Sequence, residues 1–116
     1  MNNPLKEKSF RLAVRIVKLS QWLVKEKKEF VLSKQVLRSG TAIGALYREA
    51  EHAESKADFA HKLCIAQKET NETLYWLELL KETEYLDAKQ FQSLHNDTTE
   101  VIKLLTAIIK SSKANN

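Results

Sequence analysis

Apolar residues recur at helical spacing along most of this chain, and the recurrence breaks in three places. The cleanest run lies near the C-terminus. There Phe91, Leu94, Thr98, Val101, Leu105 and Ile108 follow a 3-4-3-4-3 spacing, a heptad seam with one threonine in it. A second stripe holds Phe59, Leu63, Ala66, Thr70, Leu74 and Leu77, and Trp76, Leu79 and Leu80 broaden it toward its end. The pattern predicts four helices. The first runs from about Lys6 to Lys27 behind Pro4, whose missing N–H costs little at a helix start. The second runs from about Lys34 to His52 with Ser33 as its N-cap. The third begins after Ser55, where Ser55-Lys56-Ala57-Asp58 has capping-box spacing, and reaches about Thr83. The fourth begins after Asp87, with Gln90 three residues on, and ends near Ser112; the tail from Ser111 to Asn116 is expected to fray. Short connections between long helices make neighbours antiparallel. The expected fold is therefore all-α, an up-and-down antiparallel four-helix bundle, in a single domain over residues 1–116 with its core at about 6–112.

Composition supports this picture. Two glycines and one proline are too few for the regular turns of a β-rich domain. A chain of 116 residues can bury a core without disulfides or metals. Its single cysteine, Cys64, cannot form an intrachain disulfide, which fits a reducing compartment and a cytoplasmic protein. The apolar stretch from Phe10 to Val24 is broken by Arg11, Arg15 and Lys18, so it reads neither as a signal peptide nor as a membrane span.

The first helix carries more apolar surface than one contact needs. Lys8, Arg11, Arg15, Lys18 and Lys25 share a narrow stripe with Trp22 among them. Most of the rest is apolar: Phe10, Leu12, Val14, Ile16, Val17, Leu19, Leu23 and Val24. One face is expected to meet its own bundle and another a second subunit, giving a homo-oligomer; the alternative is a helix set deeply in a lone bundle. In the second helix Gly40 and Gly44 lie four apart on one face with Ala45 and Ala50 nearby. Interior glycine costs about 1 kcal/mol relative to alanine, so the pair implies close approach by another backbone or by a bulky side chain such as Trp76. Gly40, Gly44, Trp22 and Trp76 are assigned to close packing or oligomer contact.

Candidate chemistry is sparse. His61 and Cys64 lie three apart, but no third member completes a nucleophilic site. Glu49-x-x-His52 and Asp58-x-x-His61 resemble half of the ligand set of a di-metal bundle. The other half is missing, because the first helix offers only Glu7 at that end and the fourth offers Ile108, Ile109 and Lys110. No phosphate-binding loop, dinucleotide fingerprint or zinc spacing occurs. No enzyme, cofactor or metal is expected.

Charge is distributed unevenly within a net of +4. Residues 5–30 carry net +5, residues 31–54 zero, residues 55–87 net −3 and residues 88–116 net +2. Five basic residues over about 25 Å of helix axis can track a phosphate backbone. Lys8, Arg11, Arg15, Lys18 and Lys25 are thus candidate nucleic-acid contacts, with Arg38 and Arg48 as further candidates. Two other readings remain: a solvated helix face, or a partner for the acidic third helix.

Several segments together resemble one family. Leu37-Arg38-Ser39-Gly40-Thr41-Ala42-Ile43-Gly44-Ala45 with Arg48-Glu49-Ala50 resembles the second-helix signature of the bacterial four-helix-bundle proteins encoded in intervening sequences of 23S rRNA genes. Asp58-Phe59, Lys62-Leu63, Ile65-Ala66, Lys68-Glu69, Asn71-Glu72-Thr73 and Tyr75-Trp76-Leu77-Glu78-Leu79-Leu80 resemble its third helix, and Leu104-Leu105-Thr106-Ala107-Ile108-Ile109-Lys110 its last. The resemblance spans about residues 10 to 112. Leu46 departs from it, standing where many relatives carry asparagine. The resemblance implies a four-helix bundle assembling as a homopentamer. It also implies kinship with the accessory variability protein of diversity-generating retroelements, which binds nucleic acid and a reverse transcriptase. Implied partners are therefore further copies of the chain, rRNA or another nucleic acid, and a reverse transcriptase or other protein, with no membrane. The alternative is a structural or adaptor oligomer that binds a protein. No catalytic residue is implied.

Overall fold

Side-chain caps fix where three of the helices start. The computed structural model describes residues 3–114, which form α1 (Pro4–Lys25), α2 (Leu32–Ala50), α3 (Lys56–Glu82) and α4 (Ala88–Ala114). The Asn3 side chain accepts from the Lys6 N–H at 3.2 Å with Pro4 in the first helical turn. Ser55 Oγ accepts from the Asp58 N–H at 3.0 Å, and the Asp58 carboxylate accepts from the Glu54 N–H at 3.2 Å. At α4 the box closes both ways: Asp87 Oδ1 accepts from the Gln90 N–H at 2.7 Å and Gln90 Oε1 from the Asp87 N–H at 3.0 Å.

The start of α2 differs from expectation. The helix begins two residues early, and Ser33 lies inside it rather than capping it. Its backbone N–H is satisfied instead by Glu29 Oε1 at 2.8 Å, while its own hydroxyl is buried without a hydrogen-bond partner. The first two helices also end two residues before their expected limits, at Lys25 and Ala50. In α4 the helix continues through Ser111 to Ala114; Asn115 and Asn116, the end of the tail expected to fray, lie outside the described residues.

With both glycines inside α2, non-glycine residues serve as helix stops. Lys28 and Glu84 take positive φ, 55° and 68°. The chain then folds back so that the Glu29 N–H reaches Leu23 O at 2.9 Å and the Leu86 N–H reaches Leu80 O at 3.2 Å. After α3 the Tyr85 N–H also reaches Leu80 O at 2.9 Å, the 6→1 bond of a Schellman cap with Glu84 at its left-handed position, whereas the closure after α1 is one residue longer.

In cross-section the bundle is a square: α1 packs on α2 and α4, α3 packs on α2 and α4, and α1 and α3 are diagonal. The core runs along its 47 Å length and includes Leu12, Ile16, Leu23, Ile43, Leu63, Leu77, Leu80, Val101 and Leu105. Two expected seam positions shift. In α3 the buried row is Leu63, Ala66, Thr70, Thr73, Leu77 and Leu80, with Thr73 in place of Leu74. The Thr73 hydroxyl lies 2.9 Å from Ser39 Oγ and 2.8 Å from Glu69 O, so its polar atom is satisfied inside the α2–α3 contact. In α4 the row passes through Ile109 rather than Ile108, and Phe91 is only partly buried. An α-helix has 3.6 residues per turn, so a strict heptad drifts off the core-facing line over four turns.

The partner of the glycine face is α1, not Trp76. A Cβ on Gly40 would lie 2.8 Å from two Ile16 side-chain carbons, and one on Gly44 would lie 3.4 Å from Ser9 Oγ. Small residues on both helices make this approach possible: Ser9 and Ser20 on α1 are buried, and Ser20 Oγ donates to Ser33 O at 3.2 Å.

Candidate nucleic-acid interface

Folding divides the basic stripe of α1 into paired and unpaired members. Lys8 Nζ meets Glu100 at 2.8 Å. Arg15 meets Asp97 at 2.6 Å and also donates to the backbone oxygen and Oγ of Ser93, at 3.3 and 3.0 Å. These two side chains tie α1 to α4. Arg11 pairs along its own helix with Glu7 at 2.5 Å, in an exposed i,i+4 contact of small energetic weight. Lys18 and Lys25 are exposed and have no carboxylate within ion-pair distance among the described residues. Arg11, Lys18 and Lys25 recur every seventh residue and so form one outward row, roughly 10 Å between members.

The two arginines of α2 behave differently from each other. Arg38 is held by Glu69 at 3.1 Å and by Glu72, whose carboxylate also accepts from the Trp76 indole N–H at 2.9 Å. Arg48 is exposed and lies over the Phe10 ring, 5.5 Å from its centroid. Trp76 is partly buried against the core and packs edge-on to Tyr75 at 5.0 Å.

Beside the basic row runs an uncovered apolar seam. Phe10, Val14, Val17 and Val24 are 56%, 39%, 37% and 38% exposed, and they follow the 4-3-7 spacing of one helix edge. Arg11, Lys18 and Lys25 each follow an apolar member of this seam by one residue. Phe30 and Val31, in the turn after α1, are also exposed. The other edge of α1 faces α4 and carries Arg15, Lys18 and the partly buried Trp22, at a cleft of about 280 Å³.

Two of the four candidate metal ligands are engaged elsewhere. Glu49 pairs with Lys62 at 3.2 Å, and Asp58 caps α3. Among the described residues no three His, Cys, Asp or Glu side chains converge. No described helix is long and apolar enough to cross a membrane.

The sequence profile of a family described as "23S rRNA-intervening sequence protein" matches residues 1–107. The chain belongs to this family. Among solved structures it is similar to a protein of unknown function from the S23 ribosomal protein family of Bacteroides thetaiotaomicron VPI-5482. The two share 62% identity over 91% of this chain and 98% of that one, with a TM-score of 0.91. A comparison with curated proteins gives no match. This member of the intervening-sequence family thus has the bundle expected of it, and the basic row and apolar seam are features of its own surface.

Asp97 and Glu100 were not singled out by sequence reasoning as partners of the basic stripe. A signal was available: they are the only two acids of the last helix and lie three residues apart, on one face.

Proposed function

We propose that this family member is a non-enzymatic, self-associating accessory protein that binds RNA or DNA through phosphate contacts from α1. The observation that carries the reading is the row Arg11, Lys18 and Lys25, exposed on one helix edge with Lys18 and Lys25 unpaired among the described residues. Arg48 adds a cation on the neighbouring helix. Lys8, Arg15 and Arg38 are engaged by carboxylates of α4 and α3, which leaves them less free to contact phosphate. Fluorescence anisotropy of a labelled structured RNA at 50 and 200 mM salt tests the proposal. Binding should weaken steeply with salt and be lost in a folded Arg11→Glu, Lys18→Glu, Lys25→Glu variant. Absence of binding by the wild-type protein at low salt refutes it.

Self-association is supported by the exposed Phe10, Val14, Val17 and Val24 seam. Two α1 helices paired antiparallel would set Arg11, Lys18 and Lys25 against each other, so the seam favours a different face of the neighbour. Such a head-to-tail contact closes into a ring when the rotation between neighbours divides the circle, and a rotation of one fifth gives the pentamer the family resemblance implies. Val17→Glu should lower the molar mass measured by light scattering without unfolding the chain; an unchanged mass above that of the monomer would refute this use of the seam. Cytoplasmic placement and kinship with the retroelement accessory protein belong to the same proposal. A reverse transcriptase gene beside this one would support that kinship, and a position inside an rRNA gene would favour an rRNA partner.

A further inference from the structure

The edge of α1 that faces α4 carries a second kind of surface. The 280 Å³ cleft there has an apolar floor of Leu19, Leu86 and Leu94, which are otherwise buried, and Trp22 forms a wall. Arg15 and Lys18 stand at its rim. A second, more polar cleft shares Trp22, Leu86 and Gln90 with the first and brings Lys27 and Lys81. Lys27 Nζ lies 5.2 Å from the Trp22 ring centroid, so one face of the indole meets a mobile cation rather than packed protein.

The combination narrows the ligand chemistry. An aliphatic ligand would use the floor but not the cations, and a bare phosphate would use the cations but not the indole. A nucleotide uses both: a flat base against Trp22 and a phosphate at Lys18 or Lys27. The volume is near the lower end for small-ligand pockets, about 300 Å³, and suits a single base. A base inside a duplex has both faces covered by its neighbours, so only an unpaired base can stack here. The cation–π contact of Lys27 is weaker at an exposed site than a base–aromatic stack, so a base can displace the lysine from the ring. Glu84 and Asp87 line the second cleft and disfavour phosphate there, which leaves the Lys18 side as the path of the strand.

We propose that this cleft receives an unpaired base of single-stranded RNA or DNA, stacked on Trp22, with the adjoining phosphate at Lys18. The proposal rests on the phosphate-contact reading of α1 and makes it specific for single strands.

The test uses the full-length protein and three labelled probes at 50 mM salt: a twelve-nucleotide single-stranded RNA, its duplex, and an abasic phosphodiester strand of the same length and charge. The single strand should bind roughly 5- to 150-fold more tightly than the abasic strand, the range expected for one stacked base. Trp22→Leu should remove that difference and leave abasic binding unchanged, while Trp22→Phe, which keeps a ring, should retain most of it. Lys18→Glu should weaken both single-stranded probes. Equal affinity for the base-containing and abasic strands overturns the proposal without any variant and leaves the phosphate reading standing. Tighter binding of the duplex than of the single strand overturns it in the same way. No binding of any probe overturns both.

Discussion

Replacing each glycine of α2 by alanine should move stability in opposite directions. Alanine is favoured over glycine inside a helix by about 1 kcal/mol. At Gly44 the new methyl meets Ser9 Oγ at 3.4 Å and Ser9 backbone atoms at 3.6 Å, which is ordinary contact. Gly44→Ala should therefore stabilise by about 0.5–1 kcal/mol. At Gly40 the methyl would lie 2.8 Å from both Ile16 Cγ1 and Cγ2, where carbon pairs prefer about 3.5–4.0 Å. Ile16 is fully buried and β-branched, with one strongly favoured χ1 in a helix, so it cannot swing aside. The backbones must part instead, and overpacking of this kind costs about 1–3 kcal/mol. The net for Gly40→Ala is a loss of roughly 0–2 kcal/mol, and the two variants should differ by about 0.5–3 kcal/mol. Urea unfolding followed by circular dichroism, at one fixed protein concentration so that self-association does not enter, measures the difference. An Ile16→Ala background removes both clashing carbons, and there Gly40→Ala should cost much less or stabilise. Equal stabilisation by the two glycine substitutions in the wild-type background would refute the close-approach argument.

Two other substitutions test local assignments. Glu29→Ala should destabilise by about 0.5–2 kcal/mol, because its carboxylate satisfies the Ser33 N–H at the start of α2. Ser33→Ala should be neutral or stabilising, because the hydroxyl it removes is buried without a partner; thermal melts of the pair decide, and a larger loss at Ser33 would return the cap to that residue. Arg15→Ala should cost up to about 1 kcal/mol despite side chains of Arg15 and Asp97 that are 38% and 47% exposed, since it also loses two contacts to Ser93. Arg11→Ala should cost a few tenths of a kcal/mol at most, for its pair with Glu7 lies within one exposed helix face. Comparable losses at Arg11 and Arg15 in chemical denaturation would contradict the division of the basic stripe.

The order and extent of the helices were readable because their signals are local. The Ser55–Asp58 and Asp87–Gln90 spacings became hydrogen-bonded caps, and the apolar rows of α3 and α4 fell within one residue of their places. The misreadings arose where a residue's environment lies on another helix. The spacing puts Leu74 on the apolar stripe of α3, but Ser39 on α2 supplies the contact that lets Thr73 be buried instead. Ser33 was read as a cap from its residue type, while Glu29 and the Ser20 hydroxyl set its backbone surroundings.

The candidate site divides along the same line. Periodicity alone makes α1 amphipathic twice over, with a basic stripe and more apolar surface than one contact needs, because both follow from 3.6 residues per turn. That the glycines of α2 mark a close approach is likewise legible in the sequence, because glycine inside a helix needs compensation. That Ile16 and Ser9 make that approach follows from how α1 lies against α2. Tertiary packing alone neutralises Lys8 and Arg15, through Glu100 and Asp97, the only two acids in a segment of net positive charge. Segment charge gives the sign of a region, but ion pairing acts over a few ångströms between helices that are distant in sequence. That separation, 82 residues from Arg15 to Asp97, is what no local pattern encodes.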